Sequence, residues 1–242
     1  MSYFKTTYSK HKFYPLMLDI KNQLVAVVGG GEVASRKTRG LLKCGAKIRL
    51  ISPDICQDMQ SIISNTSVIY INRPYRYGDL SGACMAIAAT SDPTCQKEIY
   101  KEAKELNILI NVVDNPNLCN FIVPSSIQCG DLQIAISTHG QSPAIAKMIR
   151  KQLEKELLPN YAIMLELAGE LRYRTKQVYS GEQRTKILKK LADPRVLVWI
   201  ENKDWARIKK WAITLMGEGE SAWIEKFMQE LIKSTDNSTD NI

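Results

Sequence analysis

The chain has 242 residues, enough to bury a sizeable core as one large domain or two small ones. Hydrophobic residues at 45% and charged residues at 24% match an ordinary soluble globular protein. The formal charge of +8 fits nucleic acid, a polyanionic small molecule or a plain basic surface, and charge alone does not choose among them.

No stretch approaches the roughly 18 uncharged apolar residues that a membrane-spanning helix needs. The N-terminus runs polar and basic to Lys12 with no apolar segment behind it, so no secretory signal is read and a cytoplasmic protein is expected. The cysteines, Cys44, Cys56, Cys84, Cys95, Cys119 and Cys129, are scattered without a C-x-x-C pair, which argues against a zinc site and a disulfide framework. With His11 and His139 the only histidines, no protein metal cage is expected.

Residues 13–113 read as alternating strands and helices. The β-branched run Leu24–Val28 fits a strand buried on both faces of a parallel sheet, and it enters Gly29-Gly30-Gly31. Residues 33–44 follow with helical spacing, and Gly45 stands where a C-terminal cap belongs. A strand at Ile48–Ile51 ends at Ser52-Pro53-Asp54. A helix near 54–64 and strands at Val68–Asn72 and Met85–Ala89 come next. Asp92 caps a helix over 93–106 with Pro93 in its first turn, and a strand at 108–113 closes the series. Alternation of this kind predicts parallel pairing through right-handed crossovers.

Beyond Asp114 the pattern changes. Phe121–Pro124 and Leu132–Ile136 are predicted as strands joined across Gly130-Asp131. Ser142-Pro143 starts an amphipathic helix expected to stop near Leu158, before Pro159. Residues 160–233 read as helical, with breaks near Gly181, Asp193-Pro194 and Gly217–Gly219, and Ser234–Ile242 reads as a polar, disordered tail. The expected class is α/β. A Rossmann-type parallel sheet domain (1–113) precedes a small hairpin-and-helix dimerisation and substrate segment (114–158) and a helical C-terminal region (159–242).

The glycine loop carries the first chemical signal. Residues 29–34 fit G-x-G-x-x-A, a weak motif by itself, here placed after a buried strand and at the opening of a helix. In this context Gly29 permits the tight turn, Gly31 admits a pyrophosphate, and Ala34 allows close packing of helix on strand. The helix N-terminus offers free amides and a positive dipole end to the phosphates. The ribose is read about 20 residues on, in the window Ser52-Pro53-Asp54, where an acid favours NAD over NADP. Asp54 has an alternative role as cap of the following helix.

Ligands of an open parallel sheet bind at the carboxyl ends of its strands, here Gly29–Gly31, Ser52–Asp54, Ala89-Thr90 and Asp114. Asp114 is the acid expected beside the nicotinamide. Asp114-Asn115-Pro116-Asn117 reads equally well as a turn in which the Asp side chain bonds the backbone. Thr138, His139 and Ser142, between a strand and a helix, are candidates for holding substrate carboxylates. Ser142 also reads as an ordinary cap.

Taken in order, Tyr14-Pro15-Leu16, VVGGGEVASRK (27–37), AIAATSD (86–92), NVVDNP (111–116), FIVPSSI (121–127) and AISTHGQSPAIAKMIRKQLE (135–154) resemble the precorrin-2 dehydrogenase / sirohydrochlorin ferrochelatase family, the N-terminal module of siroheme synthase. The resemblance covers residues 13–160. It implies NAD-dependent oxidation of precorrin-2 to sirohydrochlorin in siroheme biosynthesis, by a homodimer whose central segment crosses between subunits. Some members also insert iron. It further implies a catalytic role for Asp114, and cofactor contacts at Gly30, Gly31, Glu32, Val33, Pro53 and Asp54. A family serine falls on Thr138. The methyltransferase domain of full siroheme synthase has no counterpart in the 242 residues. Two other classes stand beside this reading: a regulatory module that senses NAD without turnover, and a basic protein that binds nucleic acid through Arg172, Arg174, Lys176 and Arg184. The favoured reading expects neither nucleic acid nor membrane as partner.

Overall fold

The structure is a computed structural model that describes residues 13–239. The chain divides into two compact units, with the boundary between Val123 and Pro124. The basic stretch read for a leader and the last three residues of the tail lie outside the described residues.

The first unit is a five-stranded parallel sheet in the order β3-β2-β1-β4-β5. Its strands are β1 (Leu24–Val28), β2 (Lys47–Ile51), β3 (Ile69–Ile71), β4 (Met85–Ala88) and β5 (Leu109–Val112). Helices α1 (Glu32–Lys43), α2 (Gln57–Asn65) and α3 (Pro93–Glu105) make the crossovers. This is the Rossmann order, and the two-residue period of each strand divides its side chains between the two faces. Val25, Val27, Ile48, Leu50 and Ile87 go to one face, packing with Ala34 of α1 and Met59 and Ile62 of α2. Ala26, Val28, Ile51, Ala86 and Ile110 go to the other, with Ile99 and Ala103 of α3. The sheet is therefore covered by helices on both faces, which leaves the loops at the carboxyl ends of its strands for ligands.

Local signals set the boundaries. The Asp92 carboxylate accepts from the Thr94 N–H at 2.8 Å, capping α3 as expected. Gly45 takes a φ of +76° just past the end of α1. A second device was not legible. The carboxylate of Glu102, a buried residue of α3, accepts from the N–H groups of Leu80 (2.9 Å) and Gly78 (3.0 Å) and from the Tyr75 hydroxyl. It thereby holds the β3–β4 connection.

The second unit starts with an antiparallel hairpin, β6 (Ser125–Cys129) and β7 (Leu132–Ile136). The turn at Gly130-Asp131 is where the sequence places it, and Gly130 has the positive φ (+54°) that a type II′ turn needs at its first central position. The first strand is not. Phe121–Pro124 is unpaired, and the polar run Ser125–Cys129 forms the ladder instead. Pro124 has no N–H to give, and Asn120 is tied back to β5 through its side chain, which accepts from Ile110 N–H and donates to Ile108 O.

Helices α4 (Pro143–Val178), α5 (Gly181–Lys190), α6 (Pro194–Glu201), α7 (Trp205–Met216) and α8 (Ser221–Thr239) complete the unit. Ser142 caps α4 by accepting from Ile145 N–H at 3.2 Å. The expected stop before Pro159 does not occur: α4 is continuous through it. A proline forfeits one helix hydrogen bond, but Leu167 and Leu171 further along α4 are fully buried in the core formed with Ile187, Val196, Ile200, Ile208 and Ile224. Packing outweighs the local defect. Likewise Ser234–Thr239, read as a disordered tail, continues α8, whose Leu231 is buried one turn earlier. A break at Asn202–Asp204 has no glycine or proline to announce it; Lys203 there takes a φ of +52°.

Candidate active site

The carboxyl edge of the sheet gathers the sequence-predicted residues of the first unit in strand order: Ser52–Asp54, Gly29–Gly31, Ala89-Thr90, Asp114. Close backbone packing joins neighbours. A Cβ added at Gly29, where φ is +110°, would stand 2.4 Å from Ala89 O. One at Gly30 would stand 2.1 Å from Asp54 O and 2.8 Å from Cγ2 of Ile55. Gly31 differs: a Cβ there meets nothing within 4 Å. The first two glycines are required by the fold itself, whereas the third faces open space in front of the helix.

That space leaves the helix N-terminus open to an anionic group such as a phosphate. Gly31 is the N-cap of α1, no side chain caps the helix, and the leading amides of Glu32 and Val33 are left for an incoming group. Glu32 is exposed and Val33 half-buried. Ser52 is buried, with its hydroxyl donating to Asp54 O at 2.6 Å, so it shapes the turn rather than facing a ligand. Pro53 and Asp54 are exposed beside it. The alternative role of Asp54 as a helix cap is not taken, because Cys56 is the N-cap of α2.

Two thiols, one against the glycine loop and one at the end of β5, are shifted in opposite directions. Cys56 donates its backbone N–H to Gly30 O at 2.9 Å, and its Sγ lies 3.2 Å from Ser35 Oγ. That hydroxyl is the main cause holding the Cys56 thiol below its ordinary pKa. Cys119, packed under the end of β5, is pushed up by burial. Lys37 of α1 is lowered, first by burial and then by Arg36.

Asp114 follows β5 with a φ of +60°. Its carboxylate is exposed and makes no hydrogen bond or ion pair among the described residues, so the turn-capping role open to it in the sequence is not what it performs. Left-handed backbone in a non-glycine residue costs on the order of 1–2 kcal/mol, less for Asp, and has to be imposed by surroundings. The surroundings are visible. Val113 N–H donates to Ala88 O (2.9 Å), Asn115 N–H to Val112 O (3.3 Å), and Leu118 N–H to Asn115 O (3.1 Å). Asp114 lies two strands from the glycine loop, about 10 Å at ordinary strand spacing.

Thr138, His139 and Ser142 belong to the second unit, between β7 and α4. The Thr138 hydroxyl accepts from Ser142 N–H and donates to Ser142 O, both at 3.1 Å, and the Ser142 hydroxyl is engaged by Ile145 N–H. His139 is exposed with a φ of +52°. Both hydroxyls are thus used in forming the loop. Among the described residues no group of three or more His, Cys, Asp or Glu stands close enough to hold a metal ion, and no helix is long and apolar enough to cross a membrane.

Two family models match the chain, one described as putative NAD(P)-binding over residues 16–125 and one as sirohaem biosynthesis protein, central, over 130–156. A siroheme synthase of Vesicomyosocius okutanii is 37% identical over 168 residues, covering 69% of this chain and 36% of the relative. One of Photorhabdus laumondii is 34% identical over 191 residues, covering 78% of this chain and 41% of the relative. Over residues 16–156 the chain is therefore similar to proteins of sirohaem biosynthesis. It spans little more than a third of the length of these curated relatives. A solved structure titled SirC, precorrin-2 dehydrogenase superposes with a TM-score of 0.68 over 90% of this chain and 100% of its own, at 21% identity, which shows the shared fold.

One residue at this edge was not identified from the sequence. Gln96, in the first turn of α3, is buried at the edge between Thr90 and Asn115. The signal was present: Gln96, Ile99 and Ala103 recur at helical spacing on the buried stripe of α3, and a polar residue on such a stripe needs partners.

Proposed function

We propose that this protein oxidises precorrin-2 to sirohydrochlorin with NAD⁺, Asp114 serving as base. The observation that carries the proposal is an exposed, unpaired carboxylate held in left-handed backbone at the same sheet edge as an uncapped, glycine-opened helix N-terminus. When bound, the nicotinamide supplies the hydride acceptor. The chain supplies the rest. The α1 amides and the open space at Gly31 seat the pyrophosphate, and Asp54 accepts from the ribose hydroxyls, which favours NAD. Asp114 accepts the proton that leaves the macrocycle. The substrate's carboxylates are assigned to the loop of Thr138, His139 and Ser142, and the net positive charge draws a polycarboxylate in.

The proposal extends to assembly and domain roles, with 1–113 binding the dinucleotide, 114–158 pairing two subunits and meeting substrate, and 159–242 forming the helical support. A two-stranded hairpin is marginal alone, and Ile145 and Met148 at the start of α4 are 48% and 60% exposed, an apolar face suited to a second copy. Light scattering at micromolar concentration is expected to give a dimer mass; a monomer counts against the pairing.

The decisive assay mixes purified protein with precorrin-2 and NAD⁺ and follows both the tetrapyrrole spectrum and NADH. Turnover supports the dehydrogenase; dinucleotide binding without turnover points to the sensing module. Adding Fe²⁺ or Co²⁺ after the oxidised product accumulates tests metal insertion in the same cuvette.

A further inference from the structure

We propose that Gln96 is the positioning residue that sets Asp114, acting as a strut between the two loops at the β4 and β5 ends of the sheet. The proposal rests on the dehydrogenase reading above for its consequence, but not for its geometry. The side-chain amide of Gln96 is used at both ends: Nε2 donates to Thr90 O at 2.8 Å, and Oε1 accepts from Nδ2 of Asn115 at 3.3 Å. Its backbone N–H donates to Asp92 O at 3.0 Å, fixing it in the first turn of α3. The residue is 9% exposed. Burying a primary amide is costly unless donor and acceptor are both satisfied, so this one is held in a single orientation by its two partners.

Each partner carries a functional position. Thr90 ends the β4 loop that packs against Gly29 through Ala89 O, and Asn115 directly follows Asp114. The left-handed Asp114 is fenced on its other side by Cys119, whose Sγ lies 3.3 Å from Val112 O and 3.4 Å from Asn115 O. Gln96 thus links the glycine-loop wall to the acid across the gap between adjacent strands. A shift of about 1 Å in a reacting group can cost on the order of 10²-fold in rate. Cutting the strut therefore lowers kcat while leaving the dinucleotide seat on β1 and β2 intact.

Gln96→Leu removes both bonds at similar volume. Gln96→Glu keeps an acceptor for Asn115 but, when ionised, sets a carboxylate against Thr90 O; protonated, it regains an O–H donor. Asn115→Ala cuts the strut from its far, half-buried end, and serves if Gln96→Leu fails to fold. Two measurements are paired. Hydrogen exchange of peptides spanning 88–92 and 112–120 is expected to accelerate about tenfold or more in Gln96→Leu and Asn115→Ala. In turnover of precorrin-2, kcat is expected to fall at least tenfold with KM for NAD⁺ within about threefold, and the ratio of Gln96→Glu to wild-type kcat is expected to rise as pH falls. Unchanged exchange overturns the strut. Faster exchange with wild-type kcat and a flat pH ratio overturns its link to Asp114. A wild-type protein without turnover counts against the dehydrogenase reading alone, and the exchange data then decide the strut by themselves.

Discussion

Gly30 and Asp54 are packed so closely that a Cβ on the glycine would lie 2.1 Å from the carbonyl oxygen of Asp54. The neighbouring Gly31 has open space and a φ of −79°, a conformation any residue adopts. The two positions therefore fail differently. Gly30→Ala is expected to lower the melting temperature and NAD⁺ affinity together. Gly31→Val is expected to leave the melt near wild type and abolish NAD⁺ binding by calorimetry, because the side chain occupies the approach of the pyrophosphate. Wild-type affinity in Gly31→Val removes the loop from the cofactor site.

At Asp114, carboxylate and backbone are separable. Asp114→Gly removes the acid and relaxes the left-handed backbone, so it is expected to melt no lower than wild type. Asp114→Ala places a residue poorly suited to φ +60° there and is expected to melt lower, by about 1 kcal/mol in stability. Both are expected to lose turnover by roughly 10²–10⁴-fold if Asp114 takes the proton. Loss of only a few-fold in initial rate at saturating NAD⁺ indicates that water or the substrate's own carboxylates accept it.

The Asp79 carboxylate accepts two bonds of 2.7 Å from the Arg73 guanidinium and one of 2.8 Å from Arg76 N–H, and it is 9% exposed. The Arg73 bond is the main cause holding its pKa below the ordinary 3.8. Because the folded state binds the proton less readily than the unfolded chain, this pair's contribution is fully present above pH 3.8 and is lost as pH falls below it. Asp79→Asn is expected to lower stability at neutral pH and to flatten the acid limb of a denaturation series. An acid limb as steep as wild type in this variant refutes the assignment.

Thr38, fully buried on α1, has a hydroxyl with no hydrogen-bond partner among the described residues. Thr38→Val keeps the shape and removes the orphaned group. Chemical denaturation is expected to show a gain of about 1 kcal/mol. A loss instead indicates that the hydroxyl is engaged in the native state.

The strand–glycine loop–helix unit was legible because its signals agree: a β-branched buried run, glycines at a forced turn and a helical stripe all point the same way. Asp92, Ser142 and the Gly130 turn were readable because capping and turn chemistry act within a few residues. What escaped acts at long range. Ser125–Cys129 pairs with β7 although it is more polar than Phe121–Pro124, since Asn120 commits the earlier stretch to β5. Pro159 marks a helix end in isolation, and only the burial of Leu167 and Leu171 in the second core overrides it. The site divides the same way: the glycine loop and Asp114 come from pattern and resemblance, while Gln96 acts through Thr90 and Asn115, partners brought to it by the fold.

The uninterrupted α4 also governs how this protein can be dissected. A cut after residue 158, where the proline invites one, would strand the first half of the helix beside its hairpin. It would also strip Leu167 and Leu171 from the fragment expected to fold with that hairpin, while leaving them on a piece whose helix begins without the Ser142 cap. Both products would expose apolar surface and be prone to aggregate. A cut between Val123 and Pro124 leaves each core whole, so limited proteolysis or split-protein experiments should start there.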